Sequence, residues 1–274
     1  MGLLPGPARR PGTARRGPDD PTGCAGERVS TEAAPLSRRV AAEAVGTALL
    51  VAVVVGSGIQ ATELSHDVGI QLLANCLATV FGLGVLIAVF GPVSGAHFNP
   101  AVTLGSWLAD RRSDDGPSLR EVAAYVPAQI GGAIAGSLLA NAVFGRPVLA
   151  LSARDRSAPH LWLGEAVATA GLLLVAFGLK RTGRGNLAPA VVAAFIGAAY
   201  WFTSSTSFAN PAVTIGRAFT DSFAGIAPAS VPAFIAAQLI GAAVGLGLLT
   251  LVFGPARRQR ADAPVPIVVV PDAR

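Results

Sequence analysis

The sequence predicts an all-α membrane protein with six transmembrane helices and two re-entrant half-helices, arranged as two inverted repeats. Three observations carry that expectation. The 274-residue chain is 52% hydrophobic and only 14% charged, where a soluble domain carries about a quarter charged residues. Six apolar runs reach the length of about 20 residues needed to cross the hydrocarbon core of a bilayer. The triplet Asn-Pro-Ala occurs twice, at Asn99-Pro100-Ala101 and Asn210-Pro211-Ala212, each time just after such a run.

Residues 1–37 are rich in Gly, Pro, Arg and Asp and lack apolar periodicity, so they are expected to form a disordered cytoplasmic tail. They do not read as a signal peptide, because no apolar core of suitable length precedes the first span. A channel domain is expected over 38–255, with repeat one at 38–145 and repeat two at 160–255. Its spans fall near 40–59, 70–90, 122–144, 161–179, 188–206 and 231–253. Stretches 100–107 and 211–219 are too short to cross and too apolar for ordinary loops, and so read as half-spans. Non-helical backbone at membrane depth persists only where protein or a water-filled cavity satisfies it, so the half-spans must line something polar. Residues 256–274 form a second cytoplasmic tail, whose Ile267-Val268-Val269-Val270 is too short to span and receives no function.

The two halves echo each other. Ala42-Glu43-Ala44-Val45-Gly46-Thr47 is matched by Gly164-Glu165-Ala166-Val167-Ala168-Thr169, and Gln129-Ile130-Gly131-Gly132 by Gln238-Leu239-Ile240-Gly241. Each half reads Glu, then Asn-Pro-Ala, then Gln-x-x-Gly, the kind of internal period that decides a fold. Three spans per half is an odd number, so the second half enters the membrane from the opposite side. The half-helices then meet end to end near the midplane. Asn is a favoured N-cap and Pro a favoured first helical residue. Each triplet therefore starts a helix, and the positive ends of the two dipoles, roughly half a charge each, face one another against cations. With each Asn oxygen held by its own first turn, the amide NH2 is expected to be free to donate into a lumen.

Glu43 and Glu165 are ionisable residues within spans, which raises proton or ion handling. Their matched positions favour a structural role instead, accepting hydrogen bonds from the half-span backbone. Gly131-Gly132 and Gly241-Ala242-Ala243 read as small-residue helix packing.

The net charge of +5 follows topology rather than nucleic-acid binding. Of 21 Lys and Arg, 17 fall in the two tails and the loops holding Arg111, Arg112, Arg120 and Lys180, Arg181, Arg184. Both termini are thereby expected to be cytoplasmic, in a multi-pass protein of the cell membrane. Arg146, Arg154, Arg156 and Arg217 fall on the other side. Cys24 and Cys76 have neither disulfide context nor metal-ligand spacing. His66, His97 and His160 are scattered, and no nucleophile, base and orienting group converge, so an enzyme is not expected.

Ser94-Gly95-Ala96-His97-Phe98-Asn99-Pro100-Ala101-Val102-Thr103-Leu104 resembles the first signature loop of the aquaporin and aquaglyceroporin (major intrinsic protein) family. The second triplet, the paired Glu and Gln-x-x-Gly positions and the span count extend the resemblance over 38–253. It implies a homotetramer, each subunit a pore that passes water or small neutral solutes without a cofactor. The family selects by pore diameter, hydrogen-bonding lining and electrostatic barrier.

Most of the family has an Arg after the second triplet, in the narrowest selectivity ring; here that position is Val213. Carrying the ring over by distance from the motifs gives Thr79, Ala198, Ser207 and Val213. Phe81 is the alternative to Thr79, because Phe81-Gly82-Leu83-Gly84 resembles the run that supplies the first ring residue in relatives. Without the guanidinium and its five donors the ring should be wider and less polar. Polyols, urea or metalloid acids such as arsenous acid, and water, are then the expected solutes, and Gly91-Pro92-Val93-Ser94-Gly95-Ala96-His97-Phe98 with Val213 resembles a prokaryotic branch with Val in place of the filter Arg. Arg217, one turn beyond Val213, either replaces the missing charge at the outer mouth or pairs structurally, with Asp221 a candidate. His97 is expected to fix its loop by hydrogen bonding, with pH gating as the other reading.

Three other readings share some features. A strict water channel would need another residue to narrow the ring. An ion channel of the formate and nitrite type resembles this architecture but lacks paired Asn-Pro-Ala. A secondary transporter with inverted repeats needs coupling-ion ligands at the midplane, for which only Glu43 and Glu165 qualify.

Overall fold

The structure is a computed structural model that describes residue 2 and residues 34–110 and 116–255. The two expected tails lie almost wholly outside the described residues, as do Arg111 and Arg112. The described residues form eight α-helices in order: α1 (Leu36–Leu64), α2 (Val68–Ser94), α3 (Pro100–Asp110), α4 (Leu119–Val143), α5 (Pro159–Arg181), α6 (Ala188–Phe202), α7 (Pro211–Gly216) and α8 (Val231–Phe253). Among the described residues there is no strand. Six helices among the described residues, α6 extended back to Gly185 and α8 to Pro228 by single 3-10 turns, are long and apolar enough to cross a membrane.

The boundaries follow local chemistry. α1 begins two residues before the expected edge of the channel domain, because the Pro35 carbonyl already accepts from the Arg38 and Arg39 amides at 3.0 and 3.2 Å. α2 starts at Asp67, whose side chain accepts from the Ile70 amide, and ends at Gly95 in the left-handed region. α4 starts with a capping box, Ser118 and Glu121 each accepting from the other's amide. The half-spans differ in length. α3 runs eleven residues to Asp110, while α7 runs six and continues as a 3-10 turn over Arg217–Phe219.

The halves pack alike. The most extensive helix pairings are α1 with α4 and α5 with α8, equivalent partners in the two repeats. Glycine makes both possible. A Cβ on Gly132 would collide with the Ala44 carbonyl oxygen, and one on Gly241 with that of Ala166. The expected small-residue packing is thus a backbone-on-backbone approach at matched positions, the route to van der Waals contact between helices in lipid. Large apolar side chains cover the outer faces, including Leu73, Leu77, Phe81 and Val85 on α2 and Ile240, Val244 and Leu251 on α8.

Substituting Gly132 by Leu forces α1 and α4 apart, and overpacking of this kind costs about 1–3 kcal/mol or more. Thermal unfolding of the purified variant in detergent should show a markedly lower midpoint than that of an exposed-face control, Leu139→Ala.

Candidate pore and its two mouths

Between α2 and α3, and again between α6 and α7, the chain turns back at membrane depth. Its backbone does so in the same way twice. Gly95, Ala96 and Phe98 have φ of 89°, 49° and 48°, and the equivalent Thr206, Ser207 and Ala209 have 62°, 50° and 48°. Five of these six are not glycine, and each left-handed residue costs on the order of 1 kcal/mol. Two fully buried carboxylates hold the turns in place. Glu43 accepts from Ser94 Oγ (2.6 Å), the amides of His97 (3.0 Å) and Phe98 (2.7 Å), and Gln129 Nε2 (2.8 Å). Glu165 accepts from the amides of Phe208 and Ala209, both at 2.8 Å, and from Gln238 Nε2 at 2.6 Å. Every oxygen of both carboxylates is engaged with the protein, which is the geometry of a structural role.

The Gln side chains extend the frame. Gln129 Nε2 also reaches Thr103 Oγ1 at 2.9 Å, and Gln238 Nε2 reaches Thr214 Oγ1 at 2.8 Å. Sequence reasoning missed these threonines, although both triplets continue identically as Asn-Pro-Ala-Val-Thr. In repeat one, Thr103 Oγ1 further contacts His97 Nδ1 at 3.1 Å. His97 is thus bonded to the half-helix that follows its loop; Phe208 occupies the equivalent position in repeat two.

The Asn residues cap their helices as expected. Asn99 Oδ1 accepts from the Ala101 amide at 2.9 Å, and Asn210 Oδ1 from those of Ala212 and Val213 at 3.0 and 3.2 Å. Their amides are not wholly free, which corrects the expectation. Asn99 Nδ2 donates to the Ala209 carbonyl and Asn210 Nδ2 to the Phe98 carbonyl, both at 2.7 Å. Each amide has two hydrogens, so one straps the halves together and one is left over. No donor among the described residues reaches the carbonyls of Gly95, Ala96, His97, Thr206, Ser207 or Phe208. These carbonyls and one N–H of each Asn are thus left without protein partners among the described residues, as the lining of a solute pore requires.

The four ring positions do not all converge. Thr79 is buried on α2, its hydroxyl donating to the Asn75 carbonyl at 2.8 Å and standing 3.1 Å from the Tyr200 hydroxyl. Phe81, the alternative, is 69% exposed on the outer face of the same helix. Val213 is buried in the first turn of α7. Ser207 is buried too, with a hydroxyl that finds no partner among the described residues. Ala198 is corrected by the structure: it lies on the exposed face of α6 with Val191 and Trp201. The helix turns Val192, Ala193, Ile196, Ala199 and Tyr200 inward instead. Counting back from the triplet misjudged the phase of α6 by two residues, and Tyr200 is the side chain that meets Thr79.

Arg217 is buried, and its guanidinium carbon stands 3.3 Å from the centroid of the Phe208 ring. It donates through Nε to the Ala224 carbonyl. The pairing with Asp221 does not form; Asp221 accepts from the Ala153 amide at 3.2 Å. Arg156, from the α4–α5 loop, approaches the same ring at 4.9 Å and donates through Nε to the Gly225 carbonyl at 2.9 Å. Burial, with Arg217 and Arg154 nearby, pushes the Arg156 guanidinium down to about 9. The loops are clasped together around this pair: the Ser152 amide donates to the Ala218 carbonyl at 3.0 Å and the Ala227 amide to the Arg154 carbonyl at 2.7 Å. At the opposite mouth, Arg39 bonds Glu121 and the Tyr125 hydroxyl, and Tyr125 reaches the Ser94 carbonyl at 3.0 Å. Lys180 pairs with Asp110 at 2.7 Å beside it. Among the described residues no cluster of His, Cys, Asp and Glu has the makings of a metal site.

A family model for the major intrinsic proteins matches residues 30–209. The chain belongs to that family. Its members are channels, not enzymes. The chain is 49% identical over 222 residues to aquaglyceroporin AqpS of Rhizobium meliloti, covering 81% of this chain and 93% of the relative. It is 30% identical over 262 residues to the glycerol uptake facilitator protein of Pseudomonas aeruginosa, covering 79% and 90%. The aquaglyceroporin of Plasmodium falciparum superposes with a TM-score of 0.61 at 21% identity, covering 80% of this chain and 97% of that one. That last likeness confirms the fold of six spans and two half-helices.

Replacing Glu165 by Ala strands the Phe208 and Ala209 amides and the Gln238 amide group, each worth about 1–3 kcal/mol when buried without a partner. Thermal melts followed by tryptophan fluorescence should show Glu165→Ala strongly destabilised and Glu165→Gln, which keeps one acceptor, less so. Equal stability of Glu165→Ala and the native chain would remove the structural role.

Proposed function

We propose that this passive channel conducts small uncharged solutes wider than water, such as polyols, urea or a metalloid acid like arsenous acid, together with water. The carrying observation is Val213. An apolar, medium-sized side chain occupies the first turn of α7, at the position where the resembled family carries its filter Arg. The ring then consists of Thr79, Tyr200 and Val213, with the Ser207 backbone beside them. Arg217 supplies a cationic group from one turn further along, so charge is kept near the mouth while bulk is removed from the ring. The names of the relatives, an aquaglyceroporin and a glycerol uptake facilitator, support a solute pore. Asn99-Pro100-Ala101 and Asn210-Pro211-Ala212 form the midpoint of the pore, where the paired helix N-termini disfavour cations.

The face with Arg39, Arg120, Lys180, Arg181 and Arg184 is cytoplasmic by the positive-inside rule, and the face with Arg146, Arg154 and Arg156 is external. The multi-pass chain lies in the cell membrane as a homotetramer. The apolar outer faces of the helices suit contact with lipid and with neighbouring copies.

Stopped-flow light scattering on reconstituted vesicles tests the reading with water, glycerol and arsenous acid in parallel. The native chain should pass all three, and Val213→Arg should slow glycerol at least tenfold while sparing water. Fast water without solute flux in the native chain would instead identify a strict water channel.

A further inference from the structure

Two arginines at the external mouth lack the counter-charge that buried cations require. Arg156 is 7% exposed and Arg217 is 4% exposed. No carboxylate among the described residues lies within ion-pairing distance of either. Burying a charge without a partner is expensive, and placing a like charge beside it adds to the cost.

Their geometry is fixed rather than incidental. Both guanidiniums share the Phe208 ring, so they are no farther apart than the sum of two short distances, 4.9 and 3.3 Å. Each is anchored through Nε alone, to the carbonyls of the consecutive residues Gly225 and Ala224. Arg156 is further held by its own amide, which donates to Ser230 Oγ at 3.0 Å. Anchoring at Nε leaves the terminal nitrogens of both forks uncommitted. None of those nitrogens is among the buried atoms lacking a partner. They therefore open onto accessible space, although the residues that carry them are nearly enclosed.

We propose that Arg156 and Arg217, seated on Phe208, form a binding site for a small monovalent oxyanion at the external mouth of the pore. A carboxylate or sulfonate head presents two or three oxygens at the spacing of a guanidinium fork, and bidentate pairing of that kind is both strong and directional. One negative charge shared between two forks relieves their mutual repulsion, which a neutral polyol cannot do. On the proposed reading of the pore the site lies beside the passage, since Arg217 follows α7 one turn beyond Val213, so an occupied site obstructs entry from outside. The inference rests on the channel reading and its orientation, because the obstruction is read through solute flux.

The test uses the full chain in vesicles, with glycerol flux measured by stopped flow. Sodium methanesulfonate, an impermeant monovalent oxyanion, is added outside, and equimolar sodium chloride controls for screening. Methanesulfonate should slow glycerol entry saturably and at least threefold more than chloride. Arg156→Gln should raise the half-blocking concentration tenfold or more. Arg154→Gln, which removes an exposed guanidinium from the same loop as Arg156, one that stands on Phe223 instead, should leave it within twofold. Equal shifts for the two variants would reduce the effect to general surface potential and overturn the site. A binding readout independent of any variant is the thermal midpoint of the native protein in detergent, which should rise with methanesulfonate beyond its response to chloride. Identical responses to the two salts in both assays would also overturn the site, whereas absence of glycerol flux without any anion would overturn the channel reading instead.

Discussion

Everything in this molecule depends on satisfying backbone where lipid offers no hydrogen bonds. Two chain reversals sit at membrane depth, and their amides would be stranded without acceptors brought in from elsewhere. Glu43 and Glu165 are those acceptors, reaching across from α1 and α5. Two buried carboxylates would be a heavy burden on their own, and a run of unpaired amides would be another. Set against each other the costs cancel, and the left-handed residues between Gly95 and Ala209 become tolerable. Gln129 and Gln238 then tie each carboxylate to the threonine on its own half-helix, so that loop, spanning helix and half-helix form one frame.

The duplicated frame also shows where the halves are free to differ. His97 braces the loop of repeat one, whereas Phe208 takes that place in repeat two and offers its ring to two arginines. α7 is shorter than α3, and its chain continues into the loop clasped by residues from between α4 and α5. One end of the passage is thus flanked by ion pairs, Arg39 with Glu121 and Lys180 with Asp110, and the other holds Arg156 and Arg217, which no carboxylate among the described residues pairs. A symmetric scaffold carries an asymmetric pair of entrances.

Much of this was readable from the chain. The six spans, the two half-spans and the matched Glu, Asn and Gln positions all register as periodicity or repetition, because each half solves the same problem with the same residues. Thr103 and Thr214 were equally visible as the fifth residue of both motifs. Ala198 was misplaced for a physical reason: distance along the chain does not fix helical phase when an irregular loop intervenes, and Thr203 to Ala209 is such a loop. Arg156 was beyond reach, since nothing local marks a loop arginine as buried; only the clasp between distant loops turns it inward. The expectation of wholly free Asn amides failed similarly, because their acceptors lie in the other half of the sequence.

The crossed bonds at the centre, Asn99 to the Ala209 carbonyl and Asn210 to the Phe98 carbonyl, carry a mechanical meaning. A carrier works by rocking one repeat against the other around a midplane site. Here each repeat grips the backbone of its twin at that very point, and any rocking would tear both grips at once. The centre is a keystone and not a hinge. Traffic through it runs down whatever gradient exists, in either direction, and any control over that traffic must be exerted at the entrances.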